Sequence, residues 1–343
     1  VEKELRSFFA SAASRIHICQ SNQTQFRAES AFGKPVFVIC TQNQPDAHIF
    51  IFLDNFRIVH AGRTSLSQVN WDAKFSPDGQ YLAVGVGTSP DLYMFEWDGS
   101  SLGLVAQFNT GRRVKRLAWN PDGTRLAAIF HWDNYVRVYS WDGSQISFVT
   151  SYELPGRPRA VHWSRCGGYI AVGHEGDTNL TLLEYASDTL SYVTETACSG
   201  VVYATYVLWG GQEFVVGTDT APQLEIYRIS YMYPDRVAYY DHGGTIYCLD
   251  MNDDENLILV SSSGGNKLAM YSWDGTNLEL FAKPDPDYET PSSCFSPDEQ
   301  YIASANYSEV RVFKWDGTKF HYIEQAYAST NNQDKYIDVS SVV

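Results

Sequence analysis

Four residues in this 343-residue chain could hold a cation or move a proton: Glu29, Asp72, His162 and Asp250. They stand at the ends of separate strand-like runs, so they meet only if the fold gathers those runs around one axis. Carboxylates collected in that way form oxygen-rich divalent sites, which leave little trace in local spacing. The plain reading of the four is a polar, water-filled lining, and neither a metal nor a cofactor is expected. The eight histidines (His17, His48, His60, His131, His162, His174, His242 and His321) never pair at i, i+2 or i, i+4. They therefore read as core or loop residues rather than ligands. H-E-x-x-H and the phosphate-cradling G-x-x-x-x-G-K-[ST] are both missing.

A second set suggests recognition. Arg63, Arg112, Arg113, Arg116, Arg157 and Arg159, with Lys115, fall at the junctions entering three consecutive segments, and Trp132 and Asp133 lie in a loop nearby. Arginine engages carboxylates and phosphates bidentately. On a chain of net charge −15 such a sector reads as a dock for an anionic partner, either an acidic protein surface or an anionic glycan. Neutralisation by neighbouring carboxylates is the equal alternative. Trp132, Tyr231 and Tyr233 are candidate exposed aromatics.

A repeat positions these residues. FSPDGQYLAVG (75–85) returns in altered form from Trp119, Trp163, Leu208, Met251 and Phe295, about every 44 residues. FGKPVFVIC (32–40) keeps the strand without the turn. A second phrase follows in four repeats: Trp97-Asp98-Gly99, Trp141-Asp142-Gly143, Trp273-Asp274-Gly275 and Trp315-Asp316-Gly317. Within residues 112–155, Val114–Trp119 reads as a strand closed by Asn-Pro-Asp-Gly. Arg125–Phe130 is a short apolar run, 135–139 alternates, Asp-Gly turns the chain, and 146–149 is an outer strand. Four antiparallel strands per repeat, seven times over, predict an all-β chain: a seven-bladed β-propeller of four-stranded antiparallel blades. The domain is placed at 25–325, with short N- and C-terminal extensions at 1–24 and 326–343. The tryptophan of each Trp-Asp-Gly is expected to pack on the neighbouring blade. Repeats four and five, with Tyr185-Ala186-Ser187-Asp188 and 229–235 instead, predict longer or looser turns.

Ring closure is ambiguous. Residues 14–20 alternate like an outer strand for the last blade, yet 320–325 supply that strand as well. There are eight candidates for seven places.

Composition narrows the class. Hydrophobic residues at 44% and aromatic residues at 15% supply an ample β-type core. The acidic balance argues against a nucleic-acid partner. No apolar run approaches the ~20 residues of a membrane span, so no membrane insertion is expected. The start lacks a secretory signal. The six scattered cysteines read as free thiols.

FSPDGQYLAVG and TSPDLYMFEWDGSSL (88–102) resemble the WD-repeat-like propeller repeats of phage and prophage structural proteins. The chain as a whole is similar to WD-repeat propellers over about 25–325. It departs from cellular WD repeats in lacking Gly-His ahead of each first strand. The resemblance implies a non-enzymatic interaction platform, a virion-associated structural or adhesion protein located in the virion. Its partners would be virion components or a cell-surface receptor, bound through the variable loop face. A soluble cellular scaffold for protein–protein assembly and a lactonase-like metal-dependent hydrolase, with its ligands in the central channel, are the alternatives.

Overall fold

The computed structural model describes residues 36–41, 47–52, 58–64, 66, 70–230, 233–284, 290, 292–296, 298–305, 309–327 and 337–342. Every regular element among them is a strand. The first three are β1 (Val36–Thr41), β2 (Ala47–Phe52) and β3 (Ile58–Arg63). The set β4–β7 follows at Asn70–Phe75, Tyr81–Val86, Leu92–Trp97 and Leu102–Phe108. Next come β8–β11 at Val114–Trp119, Arg125–Phe130, Tyr135–Trp141 and Ile146–Glu153. Then β12–β15 occupy Pro158–Trp163, Tyr169–His174, Leu180–Ala186 and Thr189–Thr196. The set β16–β19 runs Val202–Val207, Glu213–Thr218, Leu224–Ser230 and Tyr233–Tyr240. After it, β20–β23 occupy Ile246–Met251, Leu257–Ser262, Ala269–Trp273 and Leu278–Ala282. Last are β24–β27 at Ser292–Phe295, Tyr301–Ala305, Glu309–Trp315 and Phe320–Tyr327, and β28 at Ile337–Val342.

The strands form seven four-stranded antiparallel sheets. Six are contiguous blades whose first strand is innermost, and the seventh is composite, in the order β28-β1-β2-β3. The two ends of the array therefore share one sheet. β28 pairs with β1 from Val36↔Val342 to Thr41↔Ile337. It also contacts β24 on one side and β4 on the other, which closes the ring of inner strands.

This corrects the sequence reading in two ways. The expectation of four strands per repeat, seven times over, holds for six repeats, while the first supplies only three. The 326–343 segment, expected as a tail, contains the missing inner strand. Of the two candidates for the outer strand of the last contiguous blade, 320–325 is found there, within β27. The physical reason for the composite sheet is that three strands from the first repeat would leave a gap in the inner ring between β24 and β4, which β28 fills. Residues 14–20 and the rest of 1–24 lie outside the described residues.

The second strand of each blade is covered on both faces, which is why YLAVGV, RLAAIF and YIAVGH read as continuous apolar runs. Adjacent blades share their cores: Leu92 and Met94 of one pack with Val114, Leu117 and Leu126 of the next. The fit is close at Gly85, where an added Cβ would lie 2.4 Å from Val114 Cγ1, and at Gly217, 2.4 Å from Ile246 Cγ2. The glycine of each Ala/Val-Val-Gly is the socket for the next blade's first residue.

The Trp-Asp-Gly phrases sit as expected. Trp97, Trp141, Trp273 and Trp315 are all buried. Trp141 lies edge-on to Tyr81 of the preceding blade at 5.1 Å, and Trp315 lies edge-on to Phe281 at 6.1 Å. The aspartate ties the turn: Asp142 Oδ1 accepts from the backbone N–H of Ser144 (2.9 Å) and Gln145 (2.7 Å). Gly143 takes the left-handed conformation at φ 90°. The looser turns expected in repeats four and five are not found, because Ala186 pairs directly with Thr189 and Ser230 with Tyr233. In the former, Tyr185 Oη donates to Asp188 Oδ1 at 2.5 Å, and Arg125 of the neighbouring blade braces both.

Two outcomes follow. Gly85→Ala overpacks a blade junction and should cost about 1–3 kcal/mol in urea unfolding. Ending the chain after Tyr327 removes β28, and the thermal midpoint should fall by roughly 10 °C as the composite sheet loses its inner strand.

Candidate binding site at the channel mouth

The inner strands of six blades line a channel cavity of about 310 Å³. Five of these strands carry the same irregularity. Pairing jumps from Asn70 to Asp72, Val114 to Arg116, Pro158 to Ala160, Val202 to Ala204 and Ile246 to Cys248. The skipped residues are Trp71, Lys115, Arg159, Tyr203 and Tyr247. A bulge leaves one residue out of the ladder and re-aims its side chain. Repeated around the ring, it makes a collar at the channel mouth on the loop face.

The collar is chained by contacts. Trp71 packs on His131 with ring centroids 4.2 Å apart, Arg159 lies over Tyr203 at 5.7 Å, and Tyr203 meets Tyr247 edge-on at 5.6 Å. Lys115 Nζ donates to the Pro158 carbonyl at 2.9 Å. Arg159 Nε donates to Glu175 Oε1 at 2.8 Å. Burial together with Arg159, Arg116 and Arg157 brings the Lys115 ammonium down to about 7, although Glu175 opposes them. Burial, together with Lys115, Arg159, Arg113 and Arg116, pushes His131 down to about 4, so its imidazole is neutral at pH 7.

Outside the collar lies a rim. Trp132 is 73% exposed and holds φ at 62°, a backbone conformation costly for a large side chain. The Arg157 guanidinium from the next blade lies 4.6 Å over its indole. Asp133 accepts from Arg137 at 2.6 Å and attracts Arg112 at 3.6 Å. The expected basic sector is thus assembled from Arg112, Arg113, Lys115, Arg116, Arg157 and Arg159. Arg63 is exposed at the end of β3. Carboxylate neutralisation, the alternative reading, is present at Asp133 and Glu175. Tyr233 is exposed at the start of an outer strand, away from the collar, and Tyr231 lies outside the described residues.

The candidate metal ligands do other work. Asp72 Oδ2 accepts the Leu117 N–H at 2.7 Å, His162 Nδ1 accepts the Val207 N–H at 3.2 Å, and Asp250 Oδ2 accepts the Phe295 N–H at 2.8 Å. In each case a side chain on one inner strand caps the edge of the next. Burial raises the Asp250 carboxyl to about 6 and depresses the His162 imidazole to about 3. No group of three or more His, Cys, Asp or Glu able to hold a metal exists among the described residues. Glu29 lies outside them.

Sequence reasoning missed one residue that ties blades together. Arg165 stands in Ser164-Arg165-Cys166-Gly167, where other repeats have Pro-Asp. It donates to Tyr206 Oη at 2.9 Å and to the carbonyls of Asp253 (2.8 Å), Asn252 (3.0 Å) and Met251 (3.2 Å), two blades away. The lost Pro-Asp was the only signal. His242 is buried with Nδ1 2.7 Å from Tyr271 Oη and Nε2 2.7 Å from Ser262 Oγ, pinning the loop into its blade. Cys198, Cys248 and Cys294 form no disulfide, but Cys166 is disulfide-bonded, against the expectation of thiols throughout.

Comparison with known proteins fits this geometry. The WD domain, G-beta repeat family (WD40) matches residues 104–140, which span the strands from β7 to β10. The chain is a β-propeller, and one stretch of it is similar to that repeat family. No curated protein matches it significantly. A periplasmic gluconolactonase of Pseudomonas aeruginosa superposes with a TM-score of 0.70 at 15% identity, covering 90% of this chain and 99% of that one. A functionally unknown protein from Desulfotomaculum acetoxidans gives 0.72 at 13%, covering 88% and 98%. A chain of a mitotic checkpoint complex gives 0.64 at 16%, covering 79% and 80%. At these identities the likeness is one of fold.

One expectation is corrected. That the chain is not an enzyme is overturned by the gluconolactonase, a propeller matching nearly this whole chain, so the architecture is one that supports hydrolases. The phage, virion, host-receptor and glycan readings find no counterpart in these matches. Among the described residues no helix is long and apolar enough to cross a membrane.

Arg165→Met strips several acceptors of a charged donor and should cost about 2–3 kcal/mol in urea, with Arg165→Lys restoring little of it. Asp250 binds its proton more tightly folded than unfolded, so its contribution to stability falls as pH rises from about 4 to 6 and stays unfavourable above. Asp250→Asn keeps the acceptor for Phe295, so its stability relative to wild type should be higher at pH 7.5 than at pH 4.

Proposed function

We propose that the protein is a scaffold-like propeller that binds an acidic protein segment on its loop face, across Trp132 and the arginines around it. The observation that carries this is Trp132 itself. An indole held outside the core, in a left-handed backbone conformation and under a neighbouring blade's guanidinium, costs free energy in the unbound molecule. Aromatic and arginine side chains of this kind dominate the energetics of protein interfaces. Arg112 and Arg113 add charge that attracts carboxylates on a chain otherwise acidic. The WD-repeat match and the checkpoint-complex likeness agree with a protein partner.

The rim binds through exposed residues, so its variants should leave the fold intact. In a displayed library of acidic peptides, selected binders should lose about tenfold or more in affinity on Trp132→Ala. Arg112, Arg113 and Arg157 replaced together by Ala should weaken the same binders and flatten their salt dependence. Binders indifferent to both variants would overturn the reading.

A further inference from the structure

The collar inside the rim carries a site of its own. We propose that it seats one compact oxyanion, a carboxylate or a phosphate, between Lys115 and Arg159, with Arg116 below and Tyr203 alongside. Three observations converge on this. The bulge that aims Lys115 and Arg159 at the mouth recurs in five consecutive blades, so their placement is built into the repeat. The cavity beneath is lined by Arg116, Trp71, Tyr203 and Tyr247 and is large enough for an anion with its hydration or a short substituent. The cations are held together against their mutual repulsion: Arg116, Arg157 and Arg159 act unfavourably on Lys115, and Glu175 is the one carboxylate that acts in its favour among the leading influences.

Like charges gathered in a half-buried mouth lose free energy that a bound anion restores. Lys115 directs its ammonium at a carbonyl, Pro158 O, which leaves two of its three protons for a ligand. Arg159 spends one face on Glu175 and stacks on Tyr203, which fixes the plane of its guanidinium at the collar. His131, neutral and packed on Trp71, walls the other side without adding charge. The aromatic rings supply flat, apolar contact for whatever carries the anionic group. The seat does not depend on the rim, since it is built from the bulged Lys115, Arg159 and Tyr203 with Arg116 and does not include Trp132.

The test titrates the folded full chain with inorganic phosphate and citrate, read by calorimetry. Saturable binding is expected, weakened about tenfold or more by Lys115→Met and kept within about threefold by Lys115→Arg. Both variants should retain the wild-type thermal midpoint to within a few degrees. Sulfate, whose charge is constant between pH 6 and 8.5, gives a second readout. The Lys115 ammonium is flanked by Arg116, Arg157, Arg159, Glu175 and His131 and loses its proton across that range, so sulfate affinity should fall for wild type and hold for Lys115→Arg. Glycerol phosphate and a phosphoserine peptide then separate the sources: tighter peptide binding that competes with phosphate assigns the oxyanion to a partner's side chain, and the reverse assigns it to a small molecule. Absence of saturable binding up to about 20 mM, or a folded Lys115→Met that binds as wild type does, overturns the proposal. Loss of peptide binding on Trp132→Ala with phosphate binding retained separates this seat from the rim.

Discussion

The inner edge of every blade is the constraint around which the molecule is arranged. An innermost strand has ladder partners on one side only, and its other N–H and C=O groups face the channel, where leaving them unmet is costly. The chain answers with side chains rather than more strand. Asp72, His162 and Asp250 each reach the N–H of the next inner strand, and Trp119 Nε1 donates to the Lys74 carbonyl at 3.0 Å. Arg165 extends the same device across two blades. These polar bonds join neighbouring blades where apolar packing is thinnest, at the axis.

That use explains why residues resembling a metal site are not gathered into one. A carboxylate committed to a backbone amide of the adjacent strand is oriented along the ring and not toward its centre. The charges free to meet a ligand are those that the bulge turns upward, Lys115 and Arg159, together with the arginines on the loops. Electropositive mouth and stitched channel are therefore two outcomes of one strand geometry, separated by a single skipped residue.

Much of this was legible in the sequence. The Trp-Asp-Gly and Pro-Asp-Gly phrases carry turn chemistry that is local, so the repeat, the strand order within a blade and the burial of Trp141 could be read directly. Arginines clustering at successive junctions were legible because one repeat length brings each junction beside the last. The bulge was not, since an unpaired residue looks like any other strand residue until its partner strand is present. Nor was the composite sheet: pairing between residues 36–41 and 337–342 is the most non-local contact among the described residues, and β28 has no motif. Arg165 was visible only as a missing Pro-Asp, which says that a turn has changed and not what the new side chain reaches.

The composite sheet also gives the ring a mechanical direction. The N-terminal end of β1 lies opposite the C-terminal end of β28, with Val36 facing Val342. A pull applied through the two ends of the array thus loads one pair at a time, peeling toward Thr41 and Ile337, instead of shearing all six together. Each contiguous blade is covalently continuous and has no such seam. A ring that resists heat through its whole core would therefore open under force at one joint, and the channel would open to the side while six blades stayed folded.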